Sequence, residues 1–366
     1  MNRADGAVRH SRLWEFIAHA RQEGGSDVHV APGEGVALRL RTEVVTLHDY
    51  AIDANQVRDF LALALDRRAQ ARLESIGICD AFYHDTQIGA VRVHASRGRF
   101  GPKLAIRLLA HTVPDLESLN LPPVVATFGR LRSGLIVFSG PGGAGKTTAL
   151  ASLVERVNAT RRFHIVTLES TVEYHHPWQQ SIVSQHEVGR DVATFADGVN
   201  GALHADSDIL CIGEVRDAET VSAMLQATEA GQLVFASLRA PSGTLHVINR
   251  IVGLFSLEEQ GRVRARLADA LRALVTLRLL PRRDGTGLWP ACEILIASDA
   301  IRRMLREGTI HQIRGAILSA RKDGSQTLER HLSELVGTGV LDLAAARSVS
   351  DYPDEIVVDA HANSRT

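Results

Sequence analysis

One stretch constrains this 366-residue chain more than any other: Gly140-Pro141-Gly142-Gly143-Ala144-Gly145-Lys146-Thr147-Thr148. It fits the pattern GxxxxGK[ST], and its setting matters as much as its letters. An apolar run, GLIVFSG at 134–140, leads into it, and a helical pattern, TTALASLVERVNA, leads out. A glycine-rich turn between a buried strand and a helix lets successive N–H groups wrap phosphate oxygens, with the positive helix end behind them. Residues 140–148 are therefore candidate nucleotide-binding residues. Lys146 is expected to meet the β- and γ-phosphates of ATP, and Thr147 to ligate Mg²⁺.

The rest of the chain agrees with that setting. HIVTLES (164–170), DILCIGE (208–214) and LVFASL (233–238) are short apolar runs of the kind buried in parallel sheets. Helical patterns alternate with them, so the fold class is α/β. A basic amphipathic helix is expected at 258–274, then a hairpin at 275–296 turning at Asp284-Gly285. Upstream, Leu13, Phe16, Ile17 and Ala20 form one helical stripe, and VALRLRTEVVTL (36–47), GAVRVHA (89–95) and KLAIRLL (103–109) alternate like strands, with a helix near 54–66. The expected organisation is a small α+β domain over 1–110, a proline-marked linker over 111–125 and the nucleotide-binding core over 126–298. A helical region over 299–348 and a disordered tail over 349–366 follow.

Composition removes several function classes. Hydrophobic residues make up 45% and charged residues 23%, which is ordinary for a globular chain and too apolar for a disordered one. Forty-one Lys and Arg against 42 Asp and Glu leave a formal charge of -1, so direct coating of nucleic acid is not expected. Cys79, Cys211 and Cys292 lie far apart with no CxxC pair, which suggests three buried thiols rather than a zinc ribbon or a disulfide framework. The first residues lack the apolar core of a signal peptide, and no run approaches 18 apolar residues. No transmembrane segment and a cytoplasmic location are the expectation.

ATP hydrolysis also requires a carboxylate near the γ-phosphate, to hold metal or orient water. In open α/β sheets such groups sit at the carboxyl ends of strands. Glu214 ends DILCIGE and is the first candidate for orienting or activating water, and for a metal contact beside Thr147. Glu169 ends HIVTLES and is the second.

These stretches resemble the type II/IV secretion ATPases in order and spacing: PGGAGKTT, VTLESTVEY, ILCIGEVRDAET and GQLVFASL. Ser26-Asp27-Val28-His29-Val30 resembles an element of that family's N-terminal PAS-like domain, and 300–307 (AIRRMLRE) resembles a C-terminal element of the pilus retraction ATPases. The resemblance runs over roughly residues 11–345. It implies a PAS-like α+β domain followed by a RecA-like P-loop ATPase domain with a C-terminal helical part. It also implies ATP and Mg²⁺ as ligands and a hexameric ring, either of identical chains or mixed with a paralogue. The ring would work on an inner-membrane pilus platform protein and associate with the membrane only through partners. The missing CxxC module and the lack of room for a further N-terminal domain point to the retraction branch. Arg92, Arg97, Arg107, Arg216 and Arg250 match family positions that can supply cations to phosphate.

The departures concern the same chemistry. Ser170 stands where the family carries aspartate, Asn200 and His204 where it carries arginines, and Gln232 and Arg239 where it carries histidines. Cations near the γ-phosphate can be worth about three to five powers of ten in rate. Two expectations follow: a working retraction motor in which Arg239 restores a cation, or a catalytically weakened accessory subunit of a pilus or type II secretion ring.

Overall fold

A computed structural model describes residues 12–40, 43–47, 50, 52–85, 87–109, 112–240, 243–320 and 323–357. The chain divides into two compact units, residues 1–112 with 173–175, and residues 113–172 with 176–366.

The first unit begins with α1 (Arg12–Gln22), whose apolar stripe is buried as its spacing requires. Strands β1 (Gly25–Ala31), β2 (Gly35–Leu40) and β3 (Glu43–Leu47) follow, then α2 (Ala54–Ala64) and α3 (Arg67–Ile76). The unit closes with β4 (Ile78–Asp85), β5 (Gly89–Gly98) and β6 (Gly101–Leu108). The six strands form one antiparallel sheet in the order β3-β2-β1-β6-β5-β4. Alternate residues such as Val28, Val30, Val36, Leu38, Val91, Val93 and Ile106 join the helices in a single core. One expectation needs correction: residues 36–47 are not one strand, because β2 and β3 pair antiparallel with each other. The helix expected near 54–66 is α2, and α3, capped by Asp66, follows it as an element the sequence pattern did not show.

The second unit is built on β7 (Gly134–Gly140), which leads through the glycine-rich turn into α4 (Lys146–Thr160). Next come β8 (His164–Glu169), β9 (Ile182–Glu187), α5 (Phe195–His204), β10 (Ile209–Ile212), α6 (Ala218–Glu229) and β11 (Leu233–Arg239). Then α7 (Thr244–Gly253), α8 (Leu257–Ala270), β12 (Leu271–Pro281) and β13 (Leu288–Ile296) complete a seven-stranded sheet ordered β13-β12-β7-β11-β10-β8-β9. All neighbours pair parallel except the β12–β13 hairpin. The central strand β7 is buried on both faces, with Leu135 and Val137 packing to one side and Ile136 and Phe138 to the other.

The expected helix at 258–274 ends at Ala270. Its last residues instead continue the sheet beside β7, with Val275 opposite Phe138, so tertiary pairing overrides the helical pattern. The stretch read as a linker packs into the core: Leu116 and Val125 are buried, and the Ser152 hydroxyl donates to the Pro114 carbonyl at 2.7 Å. Beyond the hairpin lie α9 (Asp299–Glu307), α10 (Ile313–Ser319), α11 (Leu328–Gly337) and α12 (Leu343–Arg347). The tail expected to be disordered is packed as far as Val357: Ile356 is 3% exposed, and Arg314 pairs with Glu355 and stacks on Tyr352. Residues 358–366 lie outside the described residues.

Candidate functional site

The glycine-rich turn sits at the carboxyl edge of the parallel sheet, where open α/β folds place ligands. Glycine is required there for two reasons. Gly140 has φ +144°, and a Cβ on it would stand 2.4 Å from the Leu277 carbonyl oxygen. Gly145, with φ +85°, is the N-cap of α4, a left-handed position that costs other residues energy. Gly143 also has positive φ and has open space where a side chain would go. The turn is thus a bare backbone cradle in front of a helix N-terminus, the arrangement that accepts phosphate. Gly140, Pro141, Gly142, Gly143, Ala144 and Gly145 form the turn, and Lys146, Thr147 and Thr148 open α4 directly behind it.

Lys146 folds back on the turn, donating to the Gly140 carbonyl at 3.0 Å and the Pro141 carbonyl at 2.7 Å. Its pKa lies below the usual lysine value, mainly because burial penalises the ammonium and further because Arg239 is near; Glu214 pulls the other way. The three groups therefore share one electrostatic neighbourhood. Arg239 ends β11, in register with Gly140 on β7, and its guanidinium stands about 3.5 Å from where a Cβ on Gly142 would be. A cation thus lies against the phosphate turn.

The two acids are placed differently. Glu169, at the end of β8, accepts from the Thr167 hydroxyl at 2.8 Å and from the Gln185 amide at 3.5 Å. With Thr147, Thr167, His176 and Gly213 it lines a small cleft of about 20 Å³. Glu214 follows β10 and forms an ion pair with Arg216.

The altered family positions separate in space. Gln232 precedes β11 at the opposite end from Arg239, roughly 20 Å away at the rise of a strand. Its amide donates to the Ser207 carbonyl and hydroxyl, both at 2.7 Å. In place of histidine it thus makes a local tie within the chain. Asn200 lines an open cleft of about 590 Å³ with Asp197, Glu219 and Glu259. His204 is the last residue of α5, and Ser170 directly follows Glu169. In the first unit, Arg107 pairs with Asp27 at 3.0 Å, Arg92 with Asp80 at 3.7 Å, and Arg97 donates to the Glu74 carbonyl. Arg250 is exposed on α7. The three cysteines are buried and unpaired as disulfides, with Cys211 and Cys292 pushed well above the usual thiol range by burial.

Sequence reasoning missed His176. It is 4% exposed, and its Nδ1 lies 2.6 Å from Glu155 on α4. Two adjacent histidines in a polar loop carry no periodic signal; only their spacing beyond Glu169 hinted at the site.

Comparison with known proteins agrees with this geometry. Residues 3–315 match the family described as Type II/IV secretion system protein. The chain is 30% identical over 342 residues to the type IV pilus retraction ATPase PilT of Pseudomonas aeruginosa, covering 93% of this chain and 99% of that one. It is 35% identical over 260 residues to a twitching motility protein of Neisseria gonorrhoeae, covering 71% and 69%. A crystal structure of the pilus retraction motor PilT with bound ADP superposes with a TM-score of 0.87 at 33% identity, covering 94% of this chain and 98% of the other. A phosphate cradle with its lysine, two strand-end acids and a match along nearly the whole length lead to one assignment: the chain belongs to the type II/IV secretion system protein family, and within it is PilT-like.

Proposed function

We propose that this chain is an ATP-hydrolysing motor subunit that drives retraction of a type IV pilus and so twitching motility. The observation that carries the reading is the cradle of residues 140–148, set beside a strand-end glutamate in a chain that aligns end to end with PilT. The cradle takes the phosphates of ATP, and Lys146 leaves the two carbonyls it now holds to meet them. Thr147 supplies a hard hydroxyl ligand to Mg²⁺. That ion keeps several waters and needs few protein ligands, which suits a molecule with no cluster of three or more His, Cys, Asp or Glu placed for a metal among its described residues. When bound, the ion neutralises charge on the phosphates. Glu169, beside Thr147 in the cleft, orients the attacking water. Glu214, once it exchanges Arg216 for the ligand, provides the second carboxylate. Arg239 provides a cation at the turn.

The ring reading rests on the family resemblance in the sequence: several copies, identical or mixed with a paralogue, work from the inner face of the membrane on a platform protein. No helix among the described residues is long and apolar enough to cross a membrane. A second reading, a weakened accessory subunit, is favoured by one observation: Asn200 stands in a cleft lined by Asp197, Glu219 and Glu259, where the family pattern has arginine. Phosphate release by the purified protein separates the two. Turnover that disappears in Lys146→Ala and Glu214→Gln supports the motor; ATP binding without turnover by the assembled ring supports the accessory subunit.

A further inference from the structure

The site contains a carboxylate–histidine pair that the phosphate cradle, the strand-end acids and Arg239 leave unused. The His176 ring is almost wholly buried, and its Nδ1 lies 2.6 Å from a Glu155 carboxylate oxygen. Glu155 is kept ionised: burial, the largest influence, pushes its pKa up, but hydrogen bonds from His176, Asn158 and Gln179 together hold it below the ordinary glutamate value. An ionised carboxylate accepts only, so Nδ1 carries a proton, and Nε2 is the ring's remaining polar atom.

The surroundings show where that atom is needed. His176 lines the same cleft as Thr147, Thr167, Glu169 and Gly213, whose volume of about 20 Å³ has room for about one water molecule. Gln185 ties the two walls together, accepting from the His176 backbone N–H at 2.8 Å and donating to Glu169 at 3.5 Å. Thr167 fixes Glu169 from a second direction at 2.8 Å. Glu169 and His176 therefore line one cleft, both held by further hydrogen bonds, with Thr147 in the same lining. A solvated pair on an exposed face would show neither the burial nor the shared lining.

We propose that His176, oriented by Glu155, is a positioning residue for the hydrolytic water, accepting one of its hydrogens while Glu169 accepts the other. This rests on the hydrolysis reading above. With both hydrogens engaged, a lone pair of the water oxygen is left to face the γ-phosphorus. The oxygen–phosphorus bond forms as the bond from phosphorus to the β-phosphate oxygen breaks. The hydrogen held by Glu169 moves to that carboxylate and then to solvent, and ADP and inorganic phosphate leave. His176 changes no charge in the step; it restricts the water to one orientation, which is where positioned groups gain rate.

The test is steady-state phosphate release and ADP binding by the full-length protein and three variants: His176→Ala, Glu155→Gln and the double variant. The expected result is a kcat lower by about 10- to 100-fold in His176→Ala. KM and the Kd for ADP stay within about twofold of wild type, since the pair holds water and not the nucleotide. Glu155→Gln lowers kcat in the same direction. The double variant is no slower than His176→Ala, because the two act as a unit. Added imidazole restores part of the His176→Ala rate, which a purely structural role would not permit. If the buried His176→Ala variant does not fold, the near-isosteric Glu155→Gln carries the test alone. Wild-type turnover with kcat within about twofold in every folded variant overturns the inference and leaves the hydrolysis reading intact. So does a fall in kcat matched by a loss of ADP binding. A wild type without turnover overturns both.

Discussion

Arg239 is the residue whose identity most changes the chemistry of the site. It ends β11 against Gly142, where the resembling family carries histidine. A guanidinium keeps its charge at every physiological pH, whereas an imidazole titrates near neutrality. Arg239→Ala should therefore lower kcat by about 10³- to 10⁵-fold with ADP binding little changed, as removal of a transition-state cation does. Arg239→His should retain part of the rate and add a fall in kcat between about pH 6 and 8 that the wild type lacks, read from a pH–rate profile. Lys146 makes a simpler case. It already stands in the cradle, so Lys146→Ala should abolish turnover and weaken ATP binding, measured by titration with a fluorescent nucleotide. The cradle was legible in the sequence because glycine spacing, strand and helix all lie within 30 residues. Glu169 and Glu214 were legible too, as acids at strand ends. Their division was not: the cleft beside Glu169 and the Arg216 partner of Glu214 depend on packing between strands far apart in the chain. His176 escaped for the same reason, since Glu155, 21 residues away, is what gives it meaning.

At the scale of elements, the parallel strands were readable because burial on both faces leaves nearly unbroken apolar runs. β9, with a burial pattern of mostly half-exposed residues, left no such run and was not anticipated. The end of α8 was misread because Leu271–Val275 suits helix and strand alike; only pairing with β7 decides it. Two predictions belong here. Gly140→Ala should destabilise the second unit by more than about 1–3 kcal/mol, since it adds both a strained φ and a Cβ that strikes Leu277, and chemical denaturation will report it. Glu293, on β13, is half-buried and accepts from the N–H of Thr244 at the start of α7 at 2.9 Å. Its pKa is raised, chiefly by burial. A raised carboxyl pKa means that the native state binds the proton more readily than the unfolded chain. Stability from this group is therefore present below the unfolded pKa and is lost as pH rises through the folded one. Glu293→Gln keeps the acceptor and removes the charge. It should be more stable than wild type at pH 7 and converge with it toward pH 4, measured by denaturant melts across that range.

At the scale of the whole molecule, the match along nearly the full length of PilT makes a motor of two units plus a C-terminal helical region the governing picture. The helix α9 carries the AIRRMLRE element, with Ile301 and Leu305 buried and Arg303 exposed. Arg303→Ala should leave phosphate release within about twofold of wild type, because a surface change away from the cradle disturbs little else. It should impair twitching in a cell that depends on this chain. The two-unit organisation and the α/β class followed from patterning alone, whereas the packed course of 349–357 did not, since Tyr352 and the three-residue run at 356–358 are too short an apolar signal in a polar stretch. The central claim is hydrolysis by this chain, and the most direct measurement is phosphate release from Mg²⁺-ATP by the purified protein, with oligomeric state recorded in the same sample and Lys146→Ala and Glu214→Gln alongside. The account predicts turnover by the wild-type assembly that both substitutions abolish; an assembled wild type that binds ATP and releases no phosphate would contradict it.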